Sequence, residues 1–409
     1  MKKNMILSGL GIAILMFMVG CEELDPVEKH PKQIILNKKA AEIVKADQQF
    51  AFEIFHEVSK ITEEDNIMIS PLSISYALGM TYNGAAGSTL DAFNNVLHFQ
   101  GLTNEEVNES YKDLMDQLVN LDEKVEFSIA NSIWYREGFT CEEEFLNTNK
   151  TYFDAVVEAL DFSDPASVDI INNWIEEKTN DKIQDMLDVI PPDAFMYLVN
   201  AIYFNAKWHY QFDPEDTMEK NFYLANGETH KADFMKVNGT FNYTTQNNFR
   251  AVELPYGDST FSMVVMLPET NITTDELISE MDIDAWQSWF SDSRNTNVQV
   301  ELPKFKFEFK ELLNDPLTDL GLGVAFSDNA DFSKIRPEKD LFISRVIHQS
   351  FIDVKEEGTE AAAATAVEIS LTSVGEPGPV MFIANRPFLF VIKENSTGLI
   401  VFVGKVGKP

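Results

Sequence analysis

"EEGTEAAAATAVEISLTS", residues 356–373, fits two patterns at once, and the choice between them decides what kind of fold this chain has. The alanine run reads as helix, with Thr359 in the N-cap role and Glu360 in the first turn. From Thr359 onward, however, the residues also alternate. Thr359, Ala361, Ala363, Thr365, Val367, Ile369 and Leu371 fall on one face of an extended chain, and Glu360, Ala362, Ala364, Ala366, Glu368, Ser370 and Thr372 on the other. Both glutamates take the second face, so a slip of one residue would bury them. The stretch is small enough to lie loose on a surface and patterned well enough to become a strand.

Outward from this stretch the chain has the composition of a globular protein. It has 409 residues, 44% of them hydrophobic and 24% charged, with no low-complexity tract or fixed-period repeat. Length alone suggests about two or three domains. The formal net charge of −34, with 66 acidic against 32 basic residues, argues against nucleic-acid binding, because phosphate recognition needs clustered Lys and Arg.

The N-terminus is a separate segment. Lys2 and Lys3 precede the apolar run "MILSGLGIAILMFMVG", and Cys21 follows it directly. The run is shorter than the roughly 20 residues a spanning helix needs. It resembles a bacterial lipoprotein leader, which implies cleavage after residue 20 and acylation of Cys21, with Met18 where Leu is commoner. Residues 21–39, charged and carrying two prolines, read as a flexible tether of very roughly 25 Å, and the folded domain as 40–409. The expected setting is an exported protein, lipid-anchored to a bacterial outer membrane and facing the periplasm or the outside. With Cys21 acylated, Cys141 has no intrachain partner, so no disulfide framework is expected; it reads as a half-exposed thiol near a helix start.

Within the body, Ile43, Val44, Phe50, Ile54, Phe55 and Val58 recur at helical spacing. "NIMISPLSISYALGMTYNGAAGSTLDAFNNVL" predicts a short strand, a turn through Ser70 and Pro71, a helix, a break at Gly84–Gly87 and a second helix. "MYLVNAIYFNAKW", residues 196–208, is nearly continuous in apolar and aromatic residues, as in a strand covered on both faces. "FSMVVMLP", "VQVELPKFKFEF", "FLFVI" and "LIVFVGKV" make the last third strand-rich. No Pro/Gly/Ser linker divides the body, so the expected class is one interwoven α+β unit.

Catalytic motifs are missing. There is no G-x-S-x-G, H-E-x-x-H, paired C-x-x-C or Walker loop, and none of the six histidines sits at metal-ligand spacing with another His or Cys. His348 in "SRVIHQSFIDV" lies on an alternating strand and reads as a hydrogen-bonded core residue. No metal, no cofactor and no enzymatic activity are expected.

In order along the chain, "NIMISPLSISYALGMTYNGAAGST", "ANSIWY", "INNWIEEKTNDKIQDML", "LVNAIYFNAKW", "ELPYGDSTFSMVVMLP", "VELPKFKFE", "EEGTEAAAATAV" and "NRPFLFVI" resemble the motifs of the serpin family of protease inhibitors, from about residue 40 to the end. The resemblance implies a metastable fold of three β-sheets with eight or nine helices and an exposed reactive-centre loop, here about 356–384. In such proteins the loop is bait for a serine or cysteine protease; once cut, its N-terminal part enters the central sheet as a new strand and traps the covalent acyl-enzyme. Glu356, Glu357, Gly358, Thr359, Glu360, Ala361, Ala362, Ala363 and Ala364 match the family's hinge, in which Gly358 and the alanine run are small enough to slide between strands. Ser70, Ser73, Asn200 and His348 match a polar cluster beneath the strands that open, and Trp208 an aromatic where the loop enters. Counting along the hinge places the scissile bond between Thr372 and Ser373, with Leu371–Thr372 as the alternative. No Lys or Arg lies between Glu356 and Asn385, which favours elastase-like or subtilisin- and chymotrypsin-like targets over trypsin-like ones. A monomer is expected. The alternative is a non-inhibitory member acting as a binding or carrier module.

Overall fold

A computed structural model describes residues 31–192, 194–359 and 378–409. Cys21 and the leader, Glu360–Ala364 of the hinge, and Leu371, Thr372 and Ser373 lie outside the described residues. Fifteen strands are present among the described residues: β1 (Asn66–Ile69), β2 (Val125–Arg136), β3 (Val156–Leu160), β4 (Met196–Lys207), β5 (Met218–Tyr223), β6 (Thr229–Thr245), β7 (Phe249–Tyr256), β8 (Phe261–Pro268), β9 (Arg294–Pro303), β10 (Phe305–Leu312), β11 (Ile347–Lys355), β12 (Gly358–Thr359), β13 (Val380–Ile383), β14 (Phe388–Glu394) and β15 (Ile400–Val406). Nine α-helical segments accompany them, so the class is α+β as expected.

One sheet of six strands has the order β10-β11-β12-β4-β2-β3. The other strands form a single hydrogen-bonded network, β1-β15-β14-β8-β7-β6-β9-β13, with β5 also on β6. Two of the three sheets implied by the sequence are thus continuous. The cause is the 17-residue β6, whose first residues pair with β5 and whose last pair with β7, while β9 runs along most of its length.

The main core lies between the sheets. Met263–Leu267 of β8 are fully buried, as the uninterrupted apolar run required. The Pro71–Tyr82 helix is buried almost all round, so it shows no polar face; it packs on β4 and β15. Its start is fixed locally. Ser70 caps it by accepting from the Ser73 N–H, and Pro71 occupies the first turn, where its missing N–H is not needed. On the opposite face of the six-stranded sheet, the Ala166–Lys178 helix and the residues after it cover a smaller core around Trp134, Ile171, Ile175, Ile183 and Leu187. Ile133 faces the main core and Trp134 the smaller one, which is the alternation of a strand with both faces covered.

The folded body starts earlier than residue 40. The first helix runs Lys38–Ile61, capped by Asn37, and the chain before it is already docked. Ile34 is buried and its N–H donates to Ser396 Oγ, while Ile35 exchanges two hydrogen bonds with the Gln117 side chain. Ile34 and Leu36, packed on the main core, pin residues 31–39 of the expected tether. Cys141 is half-buried just before the Glu143–Tyr152 helix, and burial pushes its thiol up to about 11.

Candidate functional site

The ambiguity in residues 356–373 is resolved for the part the structure describes. Gly358–Thr359 is a strand, not the start of a helix. Glu356 and Glu357 make a tight turn out of β11, and β12 returns antiparallel, pairing Lys355 with Gly358 and Val354 with Thr359. Its other edge pairs with β4, Gly358 with Lys207 and Thr359 with Ala206. Gly358 is required here because a Cβ would collide with the carbonyl oxygen of Ala206 and the backbone of Lys207.

Trp208 grips this hairpin by two atoms. Its backbone N–H donates to the Glu357 carbonyl at 3.0 Å and its indole N–H to the Lys355 carbonyl at 2.9 Å. The indole is stacked on Tyr256, with ring centroids 4.3 Å apart and planes at 12°. Tyr256 in turn shares a 2.6 Å hydrogen bond with the hydroxyl of Thr359. Burial raises the Tyr256 phenol far above its ordinary range, so it stays neutral and available as a donor.

A second anchor holds the turn from outside. The Glu356 carboxylate lies 3.0 Å from the Lys304 ammonium and accepts from the Thr217 hydroxyl at 2.8 Å. Burial pulls this carboxyl upward, but the Lys304 and Thr217 hydrogen bonds outweigh it and leave it below its ordinary value.

Below Thr359, β4 and β11 share no hydrogen-bonded pair among the described residues, and a cleft runs between them, lined by Ile202 and Phe204 on one side and Ser350 and Ile352 on the other. Ser70, Ser73, Asn200 and His348 meet in it. Ser73 donates to Asn200 Oδ1, and Asn200 Nδ2 donates to Asn131 Oδ1 at 2.7 Å. The Ser70 N–H donates to His348 Nε2 at 3.1 Å, and its hydroxyl to the Val401 carbonyl at 2.8 Å. Burial lowers His348 to about 4, and an Nε2 that accepts from an amide must be unprotonated. Farther down, the cleft opens into a cavity of about 220 Å³.

The structure therefore brings four of the expected residues into one cluster and sets Trp208 at the top of the same cleft. Tyr256, Asn131, Thr217 and Lys304 were not foreseen, because each reaches the site through cross-strand register or a distant loop. Ser350 had a visible signal. It lies two residues after His348 on the same strand face, and its hydroxyl donates to the Met68 carbonyl at 2.6 Å.

Residues 45–409 match the family model described as serpin, a serine protease inhibitor. An uncharacterized serpin-like protein of Methanosarcina acetivorans is 36% identical over 417 residues, covering 98% of this chain and 97% of its own. Serpin I2 of Homo sapiens is 33% identical over 368 residues, covering 88% and 90%. Among solved structures, the thermophilic serpin tengpin in its native state superposes with a TM-score of 0.84 at 34% identity, covering 92% of this chain and 96% of that one. Human thyroxine-binding globulin superposes at 0.82 with 26% identity, over 91% and 99%. With its fold, its clasped hinge and its motifs all in one order, this chain belongs to the serpin family.

Proposed function

We propose that this serpin is an irreversible, suicide-type inhibitor of serine endopeptidases, with cysteine endopeptidases as a further target class. One observation carries the reading: the hinge residues Gly358 and Thr359 already form the first pair of a strand between β11 and β4, whose facing edges have no partner below them among the described residues. Each further step along the tail would move one residue back along both neighbours. Continued past Thr359, the same register would put Ala361 between Phe204 and Ile352, Ala363 between Ile202 and Ser350, and Thr365 between Asn200 and His348. Small side chains would enter the narrow part of the cleft, and the hydroxyl of Thr365 would arrive at the polar cluster. Val367 and Ile369, opposite Leu198 and Met196, would reach the level of the cavity. Residue size follows the width of the space.

Insertion would release free energy. At about 1 kcal/mol for each ladder hydrogen bond, an inserted strand gains on the order of 10 kcal/mol. Cleavage of the bait is the trigger: a protease attacks the scissile carbonyl, its serine or cysteine forms the ester or thioester, and the new amine end leaves. Insertion then competes with hydrolysis of the acyl bond. Displacement of the catalytic groups by about 1 Å can slow deacylation about 100-fold. The bait bond we assign is Thr372–Ser373, which with the absence of Lys and Arg through the loop favours elastase-like or subtilisin-like targets. The expected result with pancreatic elastase is an SDS-resistant 1:1 adduct; complete cleavage without adduct would instead support a carrier role.

Acylation of Cys21 would tether the inhibitor to a bacterial outer membrane. Labelled fatty acid should be incorporated into the unaltered chain and not into Cys21→Ser, and an unlabelled unaltered chain would refute the anchor.

A further inference from the structure

Beside its place in the insertion path, the lower cavity has features of a ligand site in the uncut protein. Its walls are Leu78 from the central helix, Ile175 and Leu187 from the smaller core, Leu198 from β4, and Phe332 and Leu341. Apolar cavities take up apolar molecules, benzene entering one of about 150 Å³; this one is larger, at about 220 Å³, open on one side, and it carries Ser73, Asn200 and His348 where the cleft enters it. The rim is different in character. Phe342 is 44% exposed there, and Arg345 is exposed with no ion pair or hydrogen bond of its side chain among the described residues. The nearby carboxylate of Asp340 is already engaged by Arg336 at 3.6 Å. An arginine left without an acid is notable on a chain with 66 acidic and 32 basic residues.

We propose that the native protein binds a medium-chain acyl carboxylate here, its hydrocarbon tail among the apolar walls and its carboxylate on Arg345. Apolar burial supplies the affinity, and the guanidinium fixes which end stays at the rim. The binding claim stands on the cavity and Arg345 and does not need the insertion mechanism. Its consequence rests on the insertion mechanism proposed above: the tail would occupy the space that Val367 and Ile369 need, so the bound anion would act as a brake on insertion and turn the inhibitor toward plain substrate behaviour.

Decanoate, below its micellar concentration, is the probe. Calorimetric titration of the uncut protein should show one saturable site. Arg345→Glu, at the surface, should weaken it about tenfold or more, and Ala194→Leu, which shrinks the cavity from a buried wall position, should do the same without altering the rim. With elastase, saturating decanoate should lower the fraction of encounters that end as adduct, and this effect should vanish in Arg345→Glu. Absence of saturable binding at millimolar decanoate, or equal binding by all three proteins, would overturn the site. Binding with an unchanged adduct fraction would overturn the brake. If no adduct forms even without decanoate, the inhibitory mechanism fails, and the titration still decides the site by itself.

Discussion

Replacing Thr359 with arginine tests the hinge directly. The Thr359 side chain is 4% exposed, lies between Ala206 and Val354, and has its hydroxyl on Tyr256 at 2.6 Å. An arginine pointing the same way would forfeit that bond, worth about 1 kcal/mol, and would bury a guanidinium among Tyr256, Ala206 and Val354 with no acid beside it, at several kcal/mol. Leaving β12 out of the sheet avoids the burial but gives up the strand's start. Either way the insertion barrier should rise by at least about 3 kcal/mol, a slowing of more than 100-fold. If insertion outruns deacylation about tenfold in the unaltered chain, the variant should yield fewer than about one adduct per ten cleavages. The assay is the ratio of SDS-resistant adduct to cleaved inhibitor after reaction with a limiting amount of elastase. Thr359→Val is the control for shape: it keeps the volume, leaves the Tyr256 hydroxyl unpaired at about 1–3 kcal/mol, and should lower the adduct fraction less. A folded Thr359→Arg protein that traps elastase as well as the unaltered chain would refute insertion from this hinge.

Other perturbations reach different parts of the site. Lys304→Ala strands the Glu356 carboxylate, and with Lys304 itself partly exposed the loss should be about 1–3 kcal/mol, read as a lower melting temperature of the uncut protein and faster spontaneous loss of activity. Asn200→Ala removes the acceptor of Ser73 and the donor to Asn131, and should cost about 1–3 kcal/mol in chemical denaturation while leaving the cleavage rate of the bait unchanged. Two buried groups should tilt stability with pH in opposite directions. Burial raises Asp47, which accepts from Tyr111, from 3.8 to about 7, so the folded form holds its proton more tightly, and its contribution, full below pH 3.8, is lost as pH rises to 7. His348 is lowered from 6.5 to about 4, so the folded form resists protonation, and stability falls as pH drops from 6.5 to 4. Melting curves from pH 4 to 7 should therefore slope upward with pH in Asp47→Asn, where His348 acts alone, and downward in His348→Gln; identical slopes in both variants would contradict the assignment.

Local pattern was enough to write down most of the architecture. Continuous apolar runs such as 196–208 and 261–268 demand strands covered on both faces, and "SPLSIS" sets a capped helix start, because these signals depend only on side-chain period and backbone chemistry. The alternation after Gly358 likewise fixed which residues would face inward, and Thr359 is buried as that phase requires. What local pattern could not supply was register. Whether Thr359 lies opposite Ala206 and Val354, whether Tyr256 reaches its hydroxyl, and whether Asn131 meets Asn200 are set by which residues of distant strands are brought level with one another. The width of the cleft has the same origin. Neither β4 nor β11 carries a mark of the gap between them, since a strand's edge is made of backbone that is the same for every sequence, and only the packing of the two layers decides whether a neighbour is there.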